Sequence, residues 1–214
     1  MAKIVPGILT ADEQDYSNRL QMAEHVTDLI QIDIVDGKFA DNITVGTDVI
    51  KKYPSSSQLE IQLMVVSPKN YIDELGRLEY VSRIIFPVEI EEDINDCIYL
   101  IKKLNKQVGI SLNPETPIET ALGFFDDIDL LLLMTGKPGF SGQKLGEETY
   151  ERIRKAKNLN ANLPVEIDIG VNFDNAPKLA KAGADFLVTT SAIYNAPDFY
   201  VAYEKIAKLA RGGQ

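Results

Sequence analysis

The chain has 214 residues, 22 basic and 32 acidic side chains, a formal charge of −10, 45% hydrophobic residues, one Cys, one His and no Trp. That length and apolar fraction suit one domain burying roughly 70 to 75% of its unfolded surface, and a lone Cys97 forms no internal bridge, so a disordered tail and a disulfide-stapled miniature are excluded. A pI near 4.7 with no dense Lys/Arg block opposes nucleic acid and anionic membrane, so any bound phosphate must be held locally.

Short β-branched runs alternate with longer segments of helical period along the whole sequence. The opening, MAKIVPGILTADEQDY, has no basic segment followed by a long apolar run, and no stretch nears the roughly 18 apolar residues that span a bilayer, which leads us to expect a cytoplasmic protein. The first strand is expected over 3–9 with a helix over 15–24, the second over 29–34 with a helix over 45–53, and the third over 59–65 with a helix over 68–78. The next units pair a strand over 83–88 with a helix over 93–104, 107–112 with 118–125, and 130–134 with 146–159. The last two pair 165–169 with 175–182 and 185–188 with 198–210. Ser67-Pro68 and Thr116-Pro117 place a capping hydroxyl before a proline suited to a first helical turn. The acidic run from Val88 to Asp93 decorates the start of the fourth helix, where negative charge suits the dipole, and Cys97 shares helical spacing with Ile94, Leu100 and Ile101 as core.

Eight βα units with no dividing linker fit a single α/β domain over 1–214, a closed (β/α)8 TIM barrel, better than a doubly wound sheet of six or fewer strands. Function is then expected at the C-terminal strand ends. On the second strand alternation puts Gln31, Asp33 and Val35 on one face, with Ile32 and Ile34 toward the helices. On the seventh, Glu166, Asp168 and Gly170 share a face, with Asp168 at the top. A buried carboxylate is costly unless it is paired or used, and in a closed barrel these two strands are separated by the first and eighth. Asp33 and Asp168 can therefore approach a bound molecule from opposite sides, as a two-base stereoinversion needs. Asp36-Gly37 reads as turn chemistry. After the sixth strand, MTGKPGFSGQK offers Gly136, Gly139 and Gly142 for close backbone approach to an anion, with charge from Lys137 and Lys144. Gly170 after the seventh strand and Thr190-Ser191 after the eighth complete an anion site on three adjacent loops.

The segments PGILTAD, QIDIVDGKFADNITVG, IQLMV, SLNPETP, MTGKPGFSGQK, EIDIGVN and TTSAIY occur in the order found in ribulose-phosphate 3-epimerases, and the chain resembles that family over nearly its whole length. The resemblance implies a barrel of the ribulose-phosphate-binding type. It also implies interconversion of D-ribulose 5-phosphate and D-xylulose 5-phosphate by two aspartates, with a divalent metal on the enediolate oxygens. The family's acid and base fall on Asp33 and Asp168, its inward methionines on Met64 and Met134, and a third methionine on Val35. Its phosphate-binding residues fall on Gly139, Phe140, Ser141, Gly142, Gly170, Thr190 and Ser191, and a substrate-contacting serine on Thr10. An earlier serine is Gly7, a glycine beside the strand-seven aspartate is Ile169, and a histidine at the end of strand four is Pro87. The two metal-binding histidines are Gln31 and Gln62.

The single histidine, His25, lies outside all strand ends, so a bis-histidine zinc or iron site cannot form. Amide oxygens suit a hard cation such as Mg²⁺ or Mn²⁺, held weakly by Asp33, Asp168, Gln31 and Gln62. Three outcomes stay open: a hard cation, no metal, or loss of the epimerase reaction. Without metal, Gln31 and Gln62 can donate N–H to the enediolate and Lys137 can place charge beside it; the bland alternative has the amides bonding each other and Lys137 facing solvent. The leading expectation is a ketose-phosphate 3-epimerase acting on a small phosphorylated sugar, in a homo-oligomer to which Tyr194 and the terminal helix contribute packing surface. A hexulose-phosphate epimerase, an aldol-type lyase or decarboxylase on the same barrel, and a catalytically silent phosphosugar-binding protein are the alternatives.

Overall fold

A computed structural model describes residues 1–212. Eight parallel strands close into a barrel in chain order: β1 (Lys3–Ile8), β2 (Leu29–Val35), β3 (Gln58–Met64), β4 (Val81–Pro87), β5 (Gln107–Leu112), β6 (Leu130–Met134), β7 (Val165–Asp168) and β8 (Phe186–Thr189). The ring closes because β8 pairs with β1, Val188 against Val5 and Thr189 against Pro6. Strands covered on the outside by helices and filled on the inside by side chains are buried on both faces, which is why they read as near-continuous Val/Ile/Leu runs. Outward-facing Ile30, Ile32 and Ile34 of β2 and Leu59, Ile61 and Leu63 of β3 join one large apolar layer with the helices.

The helices are α1 (Glu13–Glu24), α2 (Thr47–Lys52), α3 (Lys69–Leu75), α4 (Ile94–Lys103), α5 (Thr149–Leu159), α6 (Ala176–Ala182), α7 (Ser191–Tyr194) and α8 (Phe199–Ala210). Aspartates set three of the starts. Asp12 accepts from Asp15 N at 2.7 Å, Asp93 from Asn95 N at 2.8 Å and Asp198 from Val201 N at 3.1 Å, each satisfying an otherwise unpaired first-turn donor. The first helix therefore begins two residues earlier than its apolar period suggests.

The expected hydroxyl caps at Ser67 and Thr116 do not form. Pro68 itself caps α3 without a side-chain bond, and Thr116 Oγ1 donates to Glu89 instead. The segment after it, Ile118–Phe124, is a 3₁₀ helix, and α5 starts at Thr149 rather than Gly146. Cys97 is buried as expected.

Inside the barrel, register stacks the inward side chains in layers: Gln31 opposite Glu60, Asp33 opposite Gln62 and Val35 opposite Met64 across β2 and β3. Across β6 and β7, Leu132 faces Glu166 and Met134 faces Asp168. One wall is apolar, with Val35, Met64, Ile85, Leu130, Leu132 and Met134 in a single buried cluster. The lower layer carries charge: Arg83 donates to Glu60 at 2.7 Å, lies 3.7 Å from Glu166, and stacks 5.1 Å over the Phe186 ring. No helix among the described residues is long and apolar enough to cross a membrane.

Candidate active site

The C-terminal end of the barrel holds a cleft whose lining includes Leu9, Asp33, Met64, Asp168 and Val188. Its wall is built from the loops after β6, β7 and β8: Gly139, Phe140, Ser141 and Gly142, then Gly170 and Val171, then Thr190 and Ser191. The two carboxylates are nearly buried, at 4% and 7% exposure for Asp33 and Asp168, so each reaches the floor through a small accessible surface.

Both backbones are pinned. Thr44 Oγ1 donates to the Asp33 carbonyl at 2.7 Å and accepts from Val35 N at 2.9 Å. Asp168 Oδ1 accepts from Ile169 N at 2.6 Å, and Thr135 Oγ1 donates to the carbonyls of Asp168 and Ile169. Ile169 has φ +75°, a left-handed conformation costly for a β-branched residue, and these bonds hold it there beside the acid. Asp36 is the turn residue its sequence suggests, accepting from Lys38 N, Phe39 N and Val66 N.

Packed against the acids lie Gln31 and Gln62, both fully buried. Gln31 Nε2 donates to Asp33 Oδ1 at 2.8 Å, and in one orientation the Gln62 carbonyl accepts from the same nitrogen at 2.8 Å. Turned over, the Gln62 amide donates from Nε2 to Asp33 Oδ1 at 2.9 Å and to Asp168 Oδ2 at 3.0 Å, which is what two carboxylates require of the group between them. The acids thus converge on one amide from two strands. Burial, and then the charge of Asp168, push Asp33 well above the usual carboxylate range. Burial pushes Asp168 up to about 6, restrained by the hydrogen bond from Ile169 N and those from the two glutamines. The arrangement can hold one proton across two acids: one ionised as a base, the other protonated as an acid.

The other expected residues fall in different places. Met64 lines the cleft, while Met134 is buried in the apolar wall. Thr10 stays behind the lining, its hydroxyl accepting from Asp12 N and its carbonyl from Val45 N. Lys137 is exposed, its ammonium 5.0 Å over the Phe140 ring rather than at the acids. Gln31 and Gln62 are fully buried beside the carboxylates and do not line the cleft; with the Gln62 carbonyl toward Gln31 the amides bond each other and Gln31 bonds Asp33, and with Gln62 turned over its N–H groups go to the two acids instead. Asn42, Thr44 and Gln143 are structural partners of the site that the sequence reading does not single out. Glu60 is another, and the strand alternation applied to Asp168 would have placed it inward below Gln62.

The model of the "Ribulose-phosphate 3 epimerase family" matches residues 3–194. The chain belongs to that family. A ribulose-phosphate 3-epimerase from Bacillus subtilis (strain 168) is 35% identical over 96% of this chain and 98% of its own length. One from Methanocaldococcus jannaschii is 31% identical over 98% and 92%. As a member of the ribulose-phosphate 3-epimerase family the chain is an isomerase, an epimerase of phosphosugars. Among solved structures, a 3-hexulose-6-phosphate synthase from Salmonella typhimurium superposes with TM-score 0.74 at 16% identity, covering 99% of this chain and 100% of its own. A tryptophan synthase α-subunit from Pyrococcus furiosus gives TM-score 0.74 at 16% identity, covering 98% of each; these two share the barrel.

Proposed function

We propose that the enzyme interconverts D-ribulose 5-phosphate and D-xylulose 5-phosphate at C3, with Asp33 and Asp168 as the two proton-transferring groups and without a metal ion. The observation that carries this reading is the meeting of two buried carboxylates, from β2 and β7, at one amide in the floor of the cleft. In one direction of the reaction Asp168 is the base and Asp33 holds the proton, and in the other the roles exchange, both carboxyls being pushed up by burial. With the phosphoryl end held by the loops at 139–142, Gly170 and Thr190-Ser191, C3 lies between the acids. Asp168 takes the C3 proton, the C–H electron pair moves toward C2 and its carbonyl oxygen becomes the enediolate oxyanion. Asp33 then returns a proton to the other face of C3 and is left ionised. The negative charge passes from one carboxylate to the substrate and on to the other carboxylate, so the site's net charge is constant. Gln62 acts as a positioning residue, because in its turned-over orientation its N–H groups bond both carboxylates.

The residues present do not fit the divalent metal that the family resemblance implies. Two carboxylates bonded by the Gln62 N–H groups, beside a single unpartnered amide oxygen, Gln31 Oε1, offer no imidazole and too few free lone pairs to enclose a divalent ion. Offering both amide oxygens to a hard cation would remove the donors that hold the acids. The test is incubation of the purified protein with D-ribulose 5-phosphate in D₂O, with and without EDTA, alongside elemental analysis. Deuterium at C3 and formation of D-xylulose 5-phosphate at EDTA-independent rates support the reading. No exchange under either condition defeats it, and activity abolished by EDTA and restored by a divalent ion defeats its metal-free part.

A further inference from the structure

The chain does not pass directly from β2 to α2. Residues 36–45 fold back over the barrel mouth as a small closed loop, with an antiparallel bridge between Asp36 and Ile43, a bond from Thr44 N to Val35 O at 3.3 Å and one from Val45 N to Thr10 O at 2.9 Å. Within it, Asn42 Oδ1 accepts from Ile43 N at 2.9 Å, which orients the side chain. Its Nδ2 then donates to the carbonyl of Gly139 at 2.7 Å. In the ring order of the strands β2 and β6 stand diametrically opposite, so this bond crosses the mouth from the strand that carries Asp33 to the loop after β6.

The approach is close. Gly139 has φ +83°, and a Cβ there would sit 3.1 Å from the Ala40 methyl and 3.4 Å from Asn42 Cβ. The far side of the β6 loop is braced from within by Gln143, which accepts from Lys137 N at 2.9 Å and donates to the carbonyls of Lys137 at 2.7 Å and Phe140 at 2.8 Å. Asn42 ties this braced unit to the opposite wall. In a planar trans peptide the N–H points opposite to the C=O, so holding the Gly139 carbonyl toward Asn42 directs the Phe140 N–H away from the 36–45 loop. Asn42 thereby sets the direction of a backbone donor on the cleft wall.

We propose that Asn42 is a positioning residue for the phosphoryl end of the substrate, acting through the Gly139–Phe140 peptide. This rests on the reading that 139–142 hold the phosphoryl group. The test uses Asn42→Asp, which keeps the acceptor and the size but removes the donor, and Asn42→Ala, which removes both without adding charge. Three readouts are taken on the full chain: amide hydrogen exchange over 139–142, affinity for inorganic phosphate, and kcat and KM for D-ribulose 5-phosphate. Both variants are expected to melt within a few degrees of the parent and to exchange faster in the loop. Phosphate binding weakens and KM rises by about 3- to 10-fold, the worth of one hydrogen bond, while kcat changes by less than about two-fold. Unchanged loop protection and phosphate affinity in both variants overturn the proposal, whatever the activity. Weakened phosphate binding in the variants of a parent that does not turn over D-ribulose 5-phosphate sinks the epimerase reading and leaves Asn42 in its role. A parent that binds no phosphate overturns both.

Discussion

Replacing Gln62 with leucine keeps a side chain of similar volume in a fully buried position but removes the amide on which both acids converge. That amide reaches Asp33 Oδ1 at 2.9 Å and Asp168 Oδ2 at 3.0 Å. A hydrogen bond to a charged group contributes about 1.5 to 3 kcal/mol, so its loss raises the pKa of the ionised acid by about one to two units. Asp168, which burial brings to about 6 in the parent, would then ionise only at about 7 to 8. The acid limb of kcat/KM against pH should move up by that amount, and at pH 6.5 the rate should fall by about 3- to 25-fold from this cause alone. The assay is conversion of D-ribulose 5-phosphate to D-xylulose 5-phosphate between pH 5 and 9, on protein shown by circular dichroism to be folded. A folded variant whose acid limb stays in place would refute the claim that Gln62 holds the ionised acid.

The parent itself should show a bell-shaped kcat/KM profile. Activity falls below about 6 as the pair takes up its second proton and falls again at higher pH as it loses the remaining one; a flat profile over pH 5 to 9 contradicts the shared-proton site. Glu166→Gln should flatten the pH dependence of stability. Both Glu166 oxygens are buried without a hydrogen-bond partner and burial pushes its pKa well up, so the native state binds a proton that the unfolded chain gives up near the ordinary value. Stability therefore falls as pH rises from about 4.3 toward the raised native value, and thermal melts from pH 5 to 8 should drop more steeply for the parent than for the variant; parallel curves defeat this. Gly170→Ala puts a side chain at φ +78° with its Cβ 2.8 Å from Leu145 N. The left-handed backbone costs about 1 to 2 kcal/mol, or about 2 to 8 °C in Tm, and pushes the β6 loop outward, so weaker inorganic phosphate binding accompanies the loss of stability; unchanged phosphate affinity would separate Gly170 from the anion site.

The barrel is legible in this sequence because every strand is covered on both faces, which turns each into a short apolar run between helical periods. Boundaries are less so. Asp12 starts α1 ahead of its apolar stripe, and at Thr116 the hydroxyl bonds Glu89 across a loop instead of capping its own helix. Alternation alone brings Asp33, Asp168 and Gln31 inward, because a strand's two faces are fixed by residue parity. What parity cannot show is depth and cross-strand reach. Gln62, in register with Asp33, also touches the acid on β7, which no single strand's alternation shows. Lys137 illustrates the converse: its place at a strand end suggests a catalytic charge, but a flexible exposed side chain takes the nearest aromatic face. Asn42 meets Gly139 only because the ring closes.

The role of the two aspartates is tested most sharply by stereospecific exchange in Asp33→Asn and Asp168→Asn. Each variant is incubated separately with D-ribulose 5-phosphate and with D-xylulose 5-phosphate in D₂O, and deuterium at C3 is read by NMR. If the acids serve opposite faces of C3, each variant exchanges the C3 hydrogen of one epimer, the two variants choose different epimers, and neither interconverts them. Interconversion by either variant, or both variants labelling the same epimer, would contradict the two-sided site.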